Sequence, residues 1–204
     1  MTIKKTSKVI LYEAFYELAK TKSLEDITVQ DILDYSGISR STFYRHFVDK
    51  YDVMSWAYTS WSNDMLLAQF DSAQSLCQLQ KEISLQAAYN YYNNRAYFSN
   101  VAKYEGQNSL RKISYRNGIA YYNDMLTKGG MEKISDELMF AIKFYVFGAT
   151  QMLLDWMENG FLHTPEEHVR LLQEVMPERL QKAIEDIDQR RKRKGIDDNK
   201  SGCD

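Results

Sequence analysis

Apolar residues recur along most of this chain at intervals of three and four positions, the spacing that places side chains on one face of an α-helix. Ile10, Ala14 and Leu18 form one such run, and residues 138–149 contain another. Sustained alternation of apolar and polar residues, the pattern of a half-buried strand, is hard to find. The chain is therefore predicted to be all-helical. The expected helices lie near residues 4–21, 28–35, 39–45, 49–70, 77–93, 95–103, 107–127, 133–159 and 165–190.

Two of these helices are preceded by capping signals. Thr28 and Asp31 form a capping-box pattern, in which each side chain accepts a backbone hydrogen bond at the first turn. Residues 164–167, Thr-Pro-Glu-Glu, combine an N-cap threonine with proline at the first helical position and glutamate at the third. The polar segment 195–204 carries no such signal, and we expect it to be a disordered tail.

The stretch from Ile27 to Phe47 predicts two short helices joined by a very tight turn. Gly37 follows the first helix, where a left-handed backbone conformation reverses the chain, and Ser39 is placed to cap the second. The apolar residues expected to face inward are Val29, Ile32, Leu33, Phe43 and Phe47, closed by Ile10, Ala14, Phe15 and Leu18 of the preceding helix. This is a helix-turn-helix arrangement, which presents its second helix to the DNA major groove.

The outward side of that second helix carries guanidinium, hydroxyl and imidazole groups, which suit base edges and phosphates. The residues are Arg40, Ser41, Thr42, Tyr44, Arg45 and His46. Ser39 belongs to the same predicted DNA-binding surface, and Thr28 and Lys50 are placed to hold further phosphates of double-stranded DNA. On spacing alone, a short helix pair with a glycine turn also suits a module that binds other proteins.

The composition, with 44% hydrophobic and 26% charged residues, is that of a soluble globular protein. The net charge of −2 excludes a globally basic surface, so DNA binding must depend on local residues such as Arg40 and Arg45. No uninterrupted apolar stretch reaches about 18 residues, so we expect no membrane span and a cytoplasmic protein. Cys77 and Cys203 lie far apart and form neither a zinc motif nor a disulfide framework.

An enzyme would have its best candidate residues at His163, Glu166, Glu167 and His168. The two histidines do not have the i, i+4 spacing that places two metal ligands on one helical face, and the segment is more simply a capped, solvated helix start. The sequence also lacks a nucleophile elbow, a phosphate loop and a dinucleotide-binding fingerprint. We therefore expect no enzymatic activity, no cofactor and no bound metal.

The motif residues resemble the signature of the TetR family of transcriptional regulators over roughly the first 55 residues. The positions that carry the resemblance are Thr28, Asp31, Ile32, Ser36, Gly37, Ile38, Ser39, Thr42, Phe43, Tyr44, Arg45, His46, Phe47 and Lys50. The resemblance implies an all-helical homodimer. It places a three-helix DNA-binding domain at 1–50 and a helical ligand-binding and dimerisation domain at 51–194, before the tail at 195–204.

The same resemblance assigns roles to single residues. It implies that Arg40, Ser41 and Thr42 face bases, and that Tyr44 and Lys50 touch phosphates. This chain departs from the family at residues 33–36, Leu-Asp-Tyr-Ser, where small alanines are more common. In the C-terminal part, residues 94–98 and 106–109 resemble a subgroup that includes activators of dihydroxyacetone kinase operons, and residues 148–167 resemble the family's last two long helices.

The predicted helix at 133–159 has more large apolar residues than one buried stripe needs. Those assigned to a dimer interface are Phe140, Phe147, Met152 and Trp156. Gly148 would let two helices approach closely, so we predict a four-helix interface between two copies of this helix and of the helix after it. The alternative is that these aromatic residues fill the core of one chain.

Tyrosines crowd the middle of the chain, and each offers an apolar ring with a polar tip, which suits a partly polar effector. The candidate pocket residues are Tyr89, Tyr92, Tyr97, Tyr104, Tyr115, Tyr122 and Phe144. The alternative is a tyrosine-rich core and surface. A repressor is the family default, and an activator controlled by a protein coactivator is the other hypothesis. The basic run from Arg190 to Lys194 fits a solvated helix end or non-specific DNA affinity.

Overall fold

The computed structural model describes residues 5–70 and 75–201, without the side chains of 61–70 and 194–201. Within these residues the chain forms ten helices and no strand, so the all-helical prediction is confirmed. The helices are α1 (Ser7–Ala19), α2 (Val29–Ser36), α3 (Arg40–His46), α4 (Lys50–Phe70), α5 (Leu76–Asn93), α6 (Arg95–Val101), α7 (Leu110–Lys128), α8 (Asp136–Glu158), α9 (Pro165–Glu174) and α10 (Glu178–Ser201).

The chain divides into two compact units. Unit 1 comprises Met1–Asn63, Asn90–Ser114 and Gln151–Leu162, and unit 2 comprises Asp64–Tyr89, Tyr115–Thr150 and His163–Asp204. Four of the five boundaries fall within helices, in α4, α5, α7 and α8, and none falls at residue 50. The functional division into residues 1–50 and 51–194 remains a prediction.

Helix α1 is central to unit 1 and packs against α2, α3 and α6. Its buried side chains are Leu11, Ala14, Phe15 and Ala19. Ile10 and Leu18, which the spacing placed in the core, are only half-buried. In α1, apolar residues stand next to each other at Ile10 and Leu11 and at Leu18 and Ala19. The sequence pattern therefore did not show which residue of each pair faces the core. The residues of α2 and α3 that were predicted to face α1 include Ile32, Leu33, Phe43 and Phe47. Their predicted burial is confirmed.

Unit 2 has its own core of buried apolar residues from α5, α7, α8 and α10. Its members include Leu79, Tyr122, Met125, Leu126, Ile142, Val146, Leu180 and Ile187. Helices α7 and α8 approach closely at Gly118, where an added Cβ would lie 2.6 Å from the Val146 side chain. On α10, the Asp188 carboxylate accepts hydrogen bonds from the Leu76 amide at 2.6 Å and the Ser75 hydroxyl at 2.6 Å, which fixes the start of α5 against α10.

The last predicted helix, 165–190, is two helices in the structure. Helix α9 ends before Pro177, and α10 begins directly after it. Proline disfavours helical backbone at the residue before it and lacks an amide donor, so a continuous helix through this position is strongly disfavoured. Helix α10 then continues to Ser201, so the structure places residues 195–201 in helix where a disordered tail was expected. Residues 202–204, with Cys203, lie outside the described residues.

Among the helices described, α8 alone is long and apolar enough to cross a membrane by length and composition, with a mean hydropathy of 1.3 over its most apolar window. The core helix of a globular protein meets the same criterion, and α8 contributes Leu138, Ile142, Tyr145 and Val146 to the core of unit 2. We therefore interpret α8 as a core helix of unit 2 that also has exposed apolar residues, and not as a membrane span.

Candidate nucleic-acid interface

Helices α2 and α3 are each fixed at their first turn by side-chain caps. The Thr28 hydroxyl accepts from the Asp31 amide at 3.1 Å, and the Asp31 carboxylate accepts from the Thr28 amide at 2.7 Å, so the predicted capping box is confirmed. Gly37 ends α2 with φ of 67°, the left-handed conformation that favours glycine. The Ser39 hydroxyl then accepts from the Thr42 amide at 3.3 Å, which confirms Ser39 as the cap of α3.

The capped turn leaves one side of α3 open to solvent. Arg40, Ser41, Tyr44 and Arg45 are exposed, and Thr42 and His46 are half-buried. The Tyr44 side chain is 52% exposed, and its ring packs edge-on against Phe43 at 5.3 Å between centroids. The predicted DNA-binding side chains of α3 therefore lie on a short helix whose opposite side is anchored in the core of unit 1.

Gln30 positions the first of these side chains, and the sequence analysis missed it. The Arg40 guanidinium donates to Gln30 Oε1 at 2.6 Å, and the Gln30 amide in turn donates to Asp34 Oδ1 at 2.7 Å. Gln30 and Asp34 stand four positions apart on α2, so they share a face. That spacing was visible in the sequence, but the link from Gln30 to α3 depends on the angle between the two helices.

Lys50 is engaged differently from the phosphate contact that the family resemblance implies. Its ammonium donates to the backbone carbonyls of Leu24, Glu25 and Ile27, in the connection between α1 and α2. An ammonium has three donors, and these three carbonyls can take all of them. Burial lowers the pKa of Lys50, although nearby carboxylates led by that of Glu25 oppose the shift. In the structure Lys50 therefore braces the α1–α2 connection, and its contact with a DNA phosphate stays a prediction.

The candidate effector residues are divided between the two units, and the pocket that they were predicted to line stays a prediction. Tyr97 packs in unit 1 on Tyr16, with ring centroids 4.9 Å apart, whereas Tyr122 is part of the core of unit 2. Tyr104 stacks on Tyr51 at 4.1 Å between centroids in unit 1.

The other candidates are also engaged locally. Tyr92 stacks on Trp156 in unit 1, and in unit 2 the Tyr89 hydroxyl donates to Glu166. Tyr115 packs edge-on against Phe147 in unit 2. The candidates thus lie in both units, because clustering along a helical sequence turns successive tyrosines to different faces.

Two cavities of unit 1 are lined by residues that the pocket prediction mostly did not include. A cavity of about 160 Å³ is bounded by Tyr12, Met54, Tyr58 and Phe98, with Tyr97 as the one predicted pocket residue. A wider groove of about 780 Å³ runs along α1 and is bounded by the end of α2 and by residues of α5 and α6. Aromatic side chains thus line both cavities, and of the candidate pocket residues Tyr97 lines the smaller one.

Helix α8 presents a row of exposed apolar residues. Phe140 and Phe144 are each 72% exposed, Phe147 is 66% exposed and Met152 is 49% exposed. The structure corrects two assignments here. Phe144, predicted to line the pocket, belongs to this exposed row, and Trp156, predicted to lie in a dimer interface, is buried in unit 1.

The ring of Trp156 packs edge-on against that of Phe161, with centroids 4.7 Å apart.

The segment 163–168 contains the residues that were candidates for a metal site. In it, His168 is buried and His163 is exposed. Burial, aided by His163, lowers the pKa of His168 to about 4. Within the part of the chain that the structure describes, no group of three His, Cys, Asp or Glu residues could hold a metal ion.

Sequence comparison identifies the family to which these features belong. Residues 11–55 match the family model for bacterial regulatory proteins of the tetR family, and residues 80–178 match that for a transcriptional regulator C-terminal region. The HTH-type dhaKLM operon transcriptional activator DhaS of Lactococcus lactis subsp. lactis (strain IL1403) is 30% identical over 76 residues, which cover 30% of this chain and 40% of that protein. The match thus spans less than half of that relative.

Solved structures share the fold. The dihydroxyacetone kinase operon activator DhaS has a TM-score of 0.62 at 15% identity, over 87% of this chain and 96% of that chain. A TetR transcriptional regulator from Rhodococcus sp. RHA1 has a TM-score of 0.60 at 18% identity, over 82% and 93%. Members of this family bind DNA operators as dimers and are generally not enzymes. The family models and the capped helix-turn-helix agree, and this chain belongs to the TetR family of transcriptional regulators.

Proposed function

We propose that this protein is a cytoplasmic, non-enzymatic regulator that binds a near-palindromic operator as a homodimer and changes its DNA affinity in response to an effector. The observation that carries the proposal is the exposed polar side of α3 on a turn fixed by the Thr28, Gly37 and Ser39 caps. Such a helix fits the major groove, and two of them in a dimer match two half-sites about 34–36 Å apart.

Within α3, the proposed roles follow from position. Arg40, Ser41 and Thr42 lie in the first turn, the part of a recognition helix that contacts base edges. Tyr44, Arg45 and His46 follow and are proposed to contact phosphates, as is Thr28 at the start of α2. The Gln30 contact holds the Arg40 guanidinium before DNA arrives, which reduces the side-chain entropy lost on binding.

The exposed row Phe140, Phe144, Phe147 and Met152 supports dimerisation through α8. Large contiguous exposed apolar patches are uncommon on monomers and mark interaction surfaces. Gly148 lies beside this row, and an added Cβ there would meet nothing within 4 Å, so a partner helix has room to approach. Unit 2 also exposes Leu171 on α9 and Val175 at its C-terminal end, two further apolar side chains open to solvent.

Repression is the proposed default, because a protein that covers an operator blocks polymerase without further contacts. Activation is the second candidate, and the names of similar proteins support it. Both the sequence relative and one structural neighbour are named as DhaS, an operon activator. A protein coactivator rather than a small molecule would then serve as the effector.

Selection of bound fragments from genomic DNA of the source organism tests the proposal. The recovered fragment should bind more tightly than a shuffled sequence of equal composition, at both low and moderate salt. Arg40→Ala should weaken binding to that fragment by about 1–3 kcal/mol and leave the shuffled sequence less affected. Arg116→Ala, which removes an exposed arginine of α7, is the matched control. Equal affinity of the unaltered protein for both sequences would refute the proposed function.

A further inference from the structure

The groove of about 780 Å³ in unit 1 has the size of a small-molecule site and is not used by the DNA-binding role of α3. Its aromatic lining comes from Tyr12 and Tyr16 of α1, Phe98 of α6 and Tyr35 of α2. Tyr35 is 60% exposed at the edge of this groove. Its ring offers an apolar face at the edge of the groove, against which a ligand can pack.

Two carboxylates give the groove its charge. Glu13 and Glu17 both line it from α1, one turn apart, and none of its described lining residues is a lysine or arginine. Each carboxylate is paired at the rim with an exposed lysine, Glu13 with Lys5 and Glu17 with Lys20 at 2.9 Å. Exposed pairs of this kind contribute little free energy, so a bound cation can exchange with either lysine.

The ammonium of Lys20 lies against two residues that line the groove, Glu17 and Tyr16. It is hydrogen-bonded to Glu17 and lies 5.1 Å from the centroid of the Tyr16 ring. A carboxylate beside an aromatic face is the arrangement that binds an ammonium group through ion pairing and cation–π attraction together. The same pair of groups is therefore suited to the ammonium of a ligand.

The far side of the groove is polar and already ordered. The Tyr16 hydroxyl donates to Asn94 Oδ1 at 2.5 Å, and Asn94 Nδ2 donates to Asn90 Oδ1 at 2.9 Å. Burial, with a smaller effect of Tyr16, raises the pKa of Tyr12 to about 12, so its phenol stays neutral. These neutral groups leave Glu13 and Glu17 as the anionic groups of the groove.

We propose that this groove binds an organic monocation, an ammonium group carried on a flat or aromatic body, between Glu17, Tyr16 and Tyr35. The ammonium takes the position now held by that of Lys20, and the body of the ligand lies against the aromatic wall. Because Tyr35 and Ser36 directly precede the Gly37 turn into α3, the bound cation contacts the helix that orients α3. Operator affinity then changes with ligand concentration, and operator binding changes cation affinity by the same factor.

Calorimetric titration of the full chain without DNA tests the binding step, with phenethylammonium as the probe and phenethyl alcohol as its uncharged analogue. The ammonium should bind at least about 10-fold more tightly than the alcohol, since a charge-assisted contact is lost in the latter. Glu17→Gln should weaken phenethylammonium by about 10-fold, and Tyr35→Ala by about 3-fold or more. Glu158→Gln, an exposed acid elsewhere in unit 1, should leave the affinity unchanged.

Lys20→Gln distinguishes specific binding of the ammonium from non-specific binding of the probe to the groove. Removing the competing ammonium should tighten phenethylammonium severalfold, the opposite direction to Glu17→Gln. Equal binding of ammonium and alcohol, no binding of either at millimolar concentration, or weaker binding in Lys20→Gln would each overturn the proposal. The effect on DNA rests on the proposed function, whereas the titration does not, so a protein that binds the probe but no operator separates the two failures.

Discussion

Lys50 is occupied by backbone carbonyls, and this determines what its removal should do. Lys50→Met leaves the carbonyls of Leu24 and Ile27 without their charged donor, so we expect the free energy of unfolding to fall by about 1–3 kcal/mol. Denaturant titration measures this. Lys22→Met, which removes an exposed lysine near Asp31, is the control and should change stability by no more than about 0.5 kcal/mol.

The same variant distinguishes a brace from a phosphate contact. A phosphate contact would reduce the salt dependence of DNA binding by about one unit of slope and leave stability unchanged. A brace changes stability and leaves the slope as it was. Unaltered unfolding with a shallower slope would therefore restore the role that the family resemblance implies for Lys50.

His168 should make the stability of unit 2 depend on pH. Burial, with a smaller contribution from His163, lowers its pKa from 6.5 to about 4, so the folded protein resists protonation that the unfolded chain accepts. The contribution is therefore complete above pH 6.5 and is lost as pH falls towards 4. Between pH 7 and pH 5 we expect a loss on the order of 1–2 kcal/mol from this group, measured by denaturant titration at each pH.

His168→Phe should flatten that profile, because phenylalanine fills a similar volume and does not titrate. His163→Gln should retain most of it, since His163 is exposed and makes only the smaller contribution to the pKa shift. A profile that stays equally steep in His168→Phe would assign the pH dependence to other groups.

At the level of helices and turns, the α2–α3 connection depends on the backbone of Gly37. Its φ of 67° lies in the left-handed region, where any Cβ is strained although no other atom lies within 4 Å of one. Gly37→Ala should lower the free energy of unfolding by about 1 kcal/mol, and Gly37→Asn by less, because asparagine tolerates this conformation. Thermal unfolding compares the two. Equal losses would indicate that crowding, rather than backbone strain, limits the position.

The helices and their ends could largely be predicted from the sequence, because local signals fix them. Thr28 with Asp31, and Thr164 with Glu167, form the capping boxes that their spacing predicts. The break between α9 and α10 was missed although Pro177 marks it, since a single proline was outweighed by the apolar periodicity on both sides. The extension of α10 was missed because a charged, polar segment predicts solvent exposure and leaves its backbone conformation open.

The site was less predictable, because its geometry depends on how helices pack. Arg40 could be assigned from its place on α3, but its Gln30 partner lies on α2 and meets it only through the angle between the helices. The same limit applies to the predicted effector pocket, because Tyr97 and Tyr122 belong to different units and their sharing of one pocket stays a prediction. Sequence spacing shows which residues share a helix face and not which faces meet.

At the scale of the whole molecule, the exposed row on α8 should hold two chains together. In a two-fold symmetric interface each residue is present twice, so one substitution removes two contacts. Phe144→Glu places a carboxylate in this apolar row, and we expect the dissociation constant of the dimer to rise by at least about 100-fold. Sedimentation equilibrium at micromolar concentration should then show a mass close to that of one chain, 24.0 kDa.

Leu162→Glu is the matched control for that change, since Leu162 is 81% exposed and lies between α8 and α9, off the row. It should leave the dimer intact. Operator affinity should fall with Phe144→Glu and not with Leu162→Glu, because a monomer contacts one half-site where the dimer contacts two. If the unaltered protein sediments as a monomer, or if Phe144→Glu remains as dimeric as the control, the partner of the exposed phenylalanines is not a second copy of this chain.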